Sequence, residues 1–185
     1  MHKITFRSLE LNDIETVKKF TDQWIGLNYF SKLELEVIYK KSQQRGLNSS
    51  FLAWDGEDLV GIRLTLAPGW SGSGQQKTFS ERWTVNPLTV GYFKSLFVHP
   101  NYWRRGYGKE LSRLSQQILK EQGATAIVTH SWFESPGQSS QALLLKMGFT
   151  EVGRHLKYWE AIDYLCNLCK PLRCRCTAIE MIKYI

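Results

Sequence analysis

One succession, a strand, a Gly-x-Gly loop and then a helix, constrains this chain more than anything else in it. Val90 to Val98 reads as a buried central strand, stopped at His99-Pro100-Asn101 because proline cannot donate to a central ladder. A helix follows from about Gly106 to Gln122, with Leu111, Leu114, Ile118 and Leu119 on one face and Gly123 as its stop. Between the two lies Arg104-Arg105-Gly106-Tyr107-Gly108-Lys109. Its glycines remove Cβ atoms where backbone must approach a ligand, and the helix start points unpaired N–H groups at the same place. Three cations flank the glycines, so the loop suits an anion, a phosphate or pyrophosphate first. Other phosphate loops do not fit. A Walker loop needs Ser or Thr where Glu110 stands, and a dinucleotide fingerprint needs a small residue where Leu111 stands.

Around this centre the chain reads as short alternating elements. Ile4 to Leu9 is a first strand, and Asn12-Asp13 offers a cap to a helix carrying Ile14, Val17, Phe20 and Trp24. A second helix runs from about Ser31 to Gln44, and Phe51-Trp54 with Leu59-Leu66 forms a hairpin. Pro68 to Thr89 reads as a long loop with aromatic anchors at Trp70, Phe79 and Trp83, either a binding loop or a surface insert. Further on come a strand at Ala124–Thr129, a helix from about Gln138 to Met147 after Pro136-Gly137, and strands near Val152–Trp159 and Ala178–Tyr184. The order β-α-α-β-β-β-α-β-α-β-β is an α/β (α+β) mixture, expected as one domain over residues 1–185.

All four cysteines fall within eleven residues, as Cys166-x2-Cys169-x4-Cys174-x-Cys176, inside an insert at about 164–177 between the last two strands. Short knuckles of this spacing suit a tetrahedral thiolate site, and Pro171 supports a turn between the pairs. Structural zinc is the first reading, with an iron–sulfur cluster, a redox role or chance thiols as alternatives. No apolar run approaches the ~18 residues that span a bilayer, and Met1 to Arg7 lacks the apolar centre of a secretory signal. The expectation is a cytoplasmic protein with reduced thiols. A net charge of +7 favours an anionic partner without naming one.

Three stretches together resemble the GNAT superfamily of acetyl-CoA-dependent N-acetyltransferases. Leu96-Phe97-Val98-His99-Pro100 with Arg104 to Leu111 is similar to the family's strand, pyrophosphate loop and helix; Leu143 to Phe149 is similar to its helix ending in Gly-Phe; Ile179 to Lys183 is similar to its closing strand. The resemblance covers nearly all of residues 1–165 and the last strand, but not the cysteine insert. It implies a mixed central sheet of six to seven strands flanked by about four helices. It also implies acetyl-CoA as co-substrate, with the pantetheine arm along the backbone at Leu96, Phe97 and Val98 and the pyrophosphate on the amides of Arg104, Arg105, Gly106, Tyr107, Gly108 and Lys109. The acceptor is an unidentified amine, attacking directly.

The family often has a catalytic carboxylate at the position of Tyr92, whose phenol, with an ordinary pKa of ~10, is a poor base near neutrality. His130, with an ordinary pKa of ~6.5, is the other catalytic candidate, or else caps a strand end. Two positions depart from the pattern: Trp103 stands at the start of the loop motif, and Leu144 where the family commonly has a Tyr acid. Tyr158 or water would then protonate the leaving thiolate. The departures keep a second reading open, a non-catalytic acyl-CoA-binding or partner-binding domain with a zinc knuckle. A nucleic-acid module ranks last, no membrane is expected, and there is room for a homodimer.

Overall fold

The computed structural model of the chain describes residues 3–70, 77–135, 139–166 and 168–185. Pro136, Gly137, Gln138 and part of the Pro68–Thr89 loop, on which sequence expectations fell, lie outside them. In chain order the elements are β1 (Thr5–Ser8), α1 (Ile14–Trp24), α2 (Lys32–Lys41), a small hairpin of β2 (Gln43–Gln44) and β3 (Leu47–Asn48), β4 (Phe51–Asp55), β5 (Asp58–Leu66), β6 (Val90–Val98), α3 (Tyr107–Glu121), β7 (Ala126–Trp132), α4 (Ser139–Lys146), β8 (Thr150–His155) and β9 (Ala178–Tyr184). Seven strands form one sheet in the order β1-β4-β5-β6-β7-β9-β8. All neighbours are antiparallel except β6 and β7, which are parallel.

Local chemistry explains most boundaries. Ser31 starts α2 through a reciprocal cap: its hydroxyl accepts from the Glu34 N–H at 3.1 Å, and the Glu34 carboxylate accepts from the Ser31 N–H at 2.7 Å. Asp13 does not cap α1 directly. Its carboxylate instead accepts two bonds from Arg7, both at 2.7 Å, and one from the Glu10 N–H, closing a 3-10 turn over Leu11–Asp13.

The β5 strand is buried along eight of its nine residues, because helices cover both faces of the sheet. Its even positions, Ile62, Leu64 and Leu66, join the core under α1 and α2 with Ile14, Val17, Leu35 and Ile38. Its odd positions face α3: Arg63 is buried there, held by Ser112 at 2.7 Å. A second core, with Phe93, Ile127, Leu144, Phe149 and Met181, lies between the sheet and α4. No helix among the described residues is long and apolar enough to cross a membrane.

Three expectations shift. α2 ends at Lys41, three residues earlier than expected, because the chain turns into the β2–β3 hairpin with Arg45 and Gly46 at positive φ. β7 runs on to Trp132, so His130 lies inside the strand: Ser131 and Trp132 pair with Ile179 and Ala178 of β9. β8 spans 150–155, because residues 156–161 turn away, and Tyr158 belongs to that turn.

Candidate functional site

The parallel pairing of β6 with β7 covers only Val90–Phe93 against Ala126–Thr129. Beyond it β6 continues to Val98 and β7 to Trp132, the latter paired with β9 alone, so the sheet opens. The opening coincides with a bulge: Leu64 faces Ser95 and Thr65 faces Phe93, leaving Lys94 as an extra residue that bends β6. The Thr129 hydroxyl donates to the Phe93 carbonyl at 2.8 Å and closes the last rung.

Antiparallel strands alternate which residues bond their neighbour. The His99 N–H donates to the Val60 carbonyl at 2.8 Å, so Phe97 and Ser95 turn their backbone groups to β5, and Leu96 and Val98 turn theirs into the gap. The Trp103 indole N–H takes the Val98 carbonyl at 2.6 Å. The Leu96 amide and carbonyl and the Val98 amide remain as an open strand edge, the kind of edge an extended arm completes.

The loop stands at the end of this gap. Arg104 has φ 59 and Gly106 φ 85, and α3 begins immediately after. Its first bond runs from the Glu110 N–H to the Gly106 carbonyl, so the amides of Gly106, Tyr107, Gly108 and Lys109 come before the helical ladder. A Cβ on Gly106 would meet nothing within 4 Å, so glycine is needed there for its φ. A Cβ on Gly108 would rest 3.4 Å from Leu96 and 3.7 Å from Val98, which fixes the helix start against the gap. Arg104, Arg105 and Lys109 are exposed, each worth roughly 1 kcal/mol or less to an anion there. A buried cation backs the same turn: Arg63 donates to the Ser112 hydroxyl, and that hydroxyl to the Gly108 carbonyl at 2.8 Å. Burial pushes the Arg63 guanidinium down to about 9.

On the α1/α2 face, β6, β7, β8 and β9 bring together a polar network. Tyr92 Oη lies 3.0 Å and Tyr158 Oη 3.2 Å from His130 Nδ1, and the Tyr158 ring stacks on His130 at 4.4 Å. On the other side of the ring, His130 Nε2 is 3.5 Å from the Glu180 carboxylate. Glu180 is fully buried and accepts from the Trp83 indole at 2.9 Å and the Phe79 amide at 2.9 Å, with His155 Nε2 at 2.8 Å. Burial raises this carboxyl, but the nearby His130 ring at 3.5 Å and bonds from His155, the Phe79 amide and Trp83 outweigh burial and hold it at about 2. Burial lowers His130, which is therefore a neutral imidazole near neutrality. Burial also raises both phenols, keeping them protonated.

The four cysteine Sγ atoms lie within 4.8 Å of one another, and Cys176 is 3.9 Å from Cys166 and 3.6 Å from Cys169. A zinc tetrahedron with Zn–S near ~2.3 Å has edges of about 3.8 Å, so the donor set fits that ion. Donors surround the thiols: the Tyr164 hydroxyl reaches Cys174 Sγ and the Arg175 amide reaches Cys169 Sγ, both at 3.4 Å. No disulfide joins them.

Thus the structure brings the loop residues together with Leu96 and Val98, joins Tyr92 to His130, and gathers the four cysteines. Phe97, expected at the pantetheine, turns its backbone to β5 and its ring to Phe20, so it lines the strand without offering it a bond. Leu144 is buried against Phe93 and Phe149, away from any acid role. Sequence reasoning missed Glu180, His155, Arg63 and Ser112. The signal for Glu180 was present, a lone carboxylate in the apolar run Ile179-Glu180-Met181-Ile182.

A family model described as acetyltransferase (GNAT) family matches residues 15–149. No curated protein matches the sequence. Among solved structures, the ribosomal-protein-S18-alanine N-acetyltransferase from Escherichia coli superposes with a TM-score of 0.67 at 16% identity, covering 99% of this chain and 94% of its own. Arabidopsis thaliana Naa50 in complex with the bisubstrate analogue CoA-Ac-MVNAL gives 0.67 at 14% identity, over 98% and 99%. Arabidopsis thaliana NAA60 in complex with acetyl-CoA gives 0.69 at 16% identity, over 99% and 99%. At these identities the likeness is one of fold.

Proposed function

The chain belongs to the GNAT family of acetyltransferases, and from that premise we propose that it moves an acetyl group from acetyl-CoA to a primary amine by direct attack. The observation that carries this is the opening of the sheet after Phe93 and Thr129, lined by the Leu96 and Val98 backbone and ended by the amides of 106–109. The pantetheine arm would take the free edge of β6, and the diphosphate the helix start, with Arg104, Arg105 and Lys109 adding attraction from outside.

In the transfer the amine nitrogen bonds the thioester carbon, the C–S bond breaks, and the amine gives up a proton. A β6 amide at Leu96 or Val98 polarises the carbonyl. The base is His130: a neutral imidazole, with Nε2–H turned to Glu180, leaves the Nδ1 lone pair to Tyr92 and Tyr158. Tyr158 is half-buried and Tyr92 buried, so Tyr158 is the side from which a proton enters. Its phenol passes its own proton to Nδ1 as it takes the amine's, without becoming a free phenolate. The CoA thiolate is protonated by water, or by Tyr158 as His130 Nδ1 returns its proton to the phenol.

A structural zinc at Cys166, Cys169, Cys174 and Cys176 belongs to the same reading, and no step of the transfer passes through it. Four free thiols suit a reducing compartment, the cytoplasm. The acceptor class to assay first is the α-amino group of a peptide, because a peptide-bearing analogue occupies one of the similar structures.

Calorimetry with acetyl-CoA, followed by a thiol-release assay over peptides and small amines, tests this. Binding with turnover that drops at least about a hundredfold in kcat on His130→Gln is the expected result. Binding without turnover on any acceptor leaves the acyl-CoA-binding alternative. No heat at all defeats the placement of the diphosphate.

A further inference from the structure

The cysteine knuckle lies outside the transfer chemistry, yet two lines of contact lead from it into the site. The first leaves from Cys174. The Tyr164 hydroxyl donates to its Sγ at 3.4 Å, and the Tyr164 ring meets Tyr29 edge to face with centroids 5.1 Å apart. Tyr29, half-buried, belongs to the α1–α2 connection, where its phenol has the Ser95 hydroxyl beside it, on β6 where that strand leaves β7. The neighbouring residues of this connection lie over the same stretch of strand: Trp24 packs on His99 with centroids at 4.4 Å, and Lys94 reaches over Phe30 at 5.5 Å. Contact is tight at the backbone as well. A Cβ on Gly26 would stand 2.8 Å from the Leu165 carbonyl and 3.3 Å from Tyr164.

The second line leaves from Cys176. Its carbonyl accepts the Tyr158 N–H at 3.1 Å, and that bond holds the turn whose phenol stacks on His130. One knuckle therefore supports both the segment that overhangs the open strand and the phenol that meets the base.

We infer that zinc bound by Cys166, Cys169, Cys174 and Cys176 is a buttress of the acceptor side of the site, holding the α1–α2 connection and Tyr158 in place, while the diphosphate loop keeps its own supports in α3 and β6. Four buried or half-buried thiols at van der Waals contact supply little cohesion of their own. The four Sγ atoms converge within 4.8 Å with no disulfide between them, so the knuckle's shape depends on the ion that would tie them together. The loop at 104–109 is built on α3 and β6, and the ring contacts that lead towards it from Trp24 pass through His99 and Tyr102 before they reach Tyr107. That the braced side receives the acceptor rests on the N-acetyltransferase reading; the metal and the bracing do not.

The test uses the whole chain. Metal analysis is expected to find one zinc per chain, with four thiols that react with a thiol reagent only after chelation. Hydrogen exchange then compares zinc-loaded and zinc-stripped protein. The amides of Ile25, Gly26 and Tyr29, bonded at 2.9, 3.1 and 3.0 Å, and that of Tyr158 are expected to exchange about tenfold faster or more without zinc. Acetyl-CoA affinity by calorimetry stays within about twofold. If stripping melts the whole chain, Tyr164→Ala serves instead, because it cuts the first line without removing a thiolate. It keeps its zinc and loses protection at Ile25, Gly26 and Tyr29 only. Zinc absent with all four thiols freely reactive, visible absorbance of an iron–sulfur cluster, or unchanged protection in Tyr164→Ala each overturns the inference. Loss of acetyl-CoA binding in the zinc-loaded wild type strikes the transferase reading and leaves the buttress standing.

Discussion

Glu180→Gln separates a carboxylate that holds its network by charge from one that merely fills space. Glu180 is held at about 2 against an ordinary 4.5. That difference, at about 1.4 kcal/mol for each pKa step, is roughly 3 kcal/mol of folding stability. A depressed carboxyl contributes this above the unfolded value and loses it as pH falls through the folded value. The contribution is therefore complete at neutrality, begins to fall near pH 4.5, and is down to about 1.4 kcal/mol at pH 3. The variant has no such group. Its deficit against wild type is expected to be about 3 kcal/mol at pH 7, which lowers Tm by roughly 6–12 °C for a domain of this size, and to shrink to less than half by pH 3. Buried His130 also costs stability as pH falls below ~6.5, and more so in the variant, which lacks the carboxylate that raises His130 against burial; this widens the deficit below about pH 6 before the carboxylate's own contribution fades. Urea midpoints at stepped pH give the curve. A deficit that stays constant from pH 7 to pH 3 would refute the claim that the Trp83, Phe79, His155 and His130 contacts are made to a charge.

Two further substitutions probe backbone positions. Gly106→Ala places a side chain at φ 85 in open space, so its cost is strain alone, about 1–2 kcal/mol, and calorimetry should show weakened acetyl-CoA binding; unchanged melting and affinity would move the anion site elsewhere. Gly26→Ala drives a methyl into the Leu165 carbonyl, expected to cost about 1–3 kcal/mol in a thermal melt while the knuckle keeps its zinc; a neutral effect would mean that the two backbones are not held in contact.

Local patterns carried most of the fold. Val90–Val98 and Ala178–Tyr184 read as strands, because both are rich in apolar, aromatic and β-branched residues, and His99-Pro100 stops the first. The hairpin at 51–66 and the α3 helix were equally plain. What misled was context. Ala124 and Thr125 look like strand and Ser131 and Trp132 do not, yet pairing with β9 decides both ends of β7, and a non-local partner leaves no mark in the strand itself. The β2–β3 hairpin is too short to show a period at all. In the site, the loop was legible because its glycines answer a backbone requirement, and the cysteines because metal ligands must converge. Glu180 and His155 were not, since they lie 25 residues apart on separate strands and meet only across the assembled sheet. The aromatic loop was half legible: Trp83 and Phe79 do anchor it, on a carboxylate and on the ring of His155 at 4.2 Å.

Synthesis delivers β9 after every other strand, although it lies between β7 and β8 in the sheet. On the ribosome the half built from β4, β5, β6 and α3 can close early, and with it the anion loop. β8, by contrast, has no neighbour to join until residues 178–184 emerge, and His130 has no Glu180 until then. A nascent chain would thus acquire the anion loop before the His130–Glu180 network, and on the proposed reading a product lacking β9 would keep the diphosphate cradle while lacking the partner of its base.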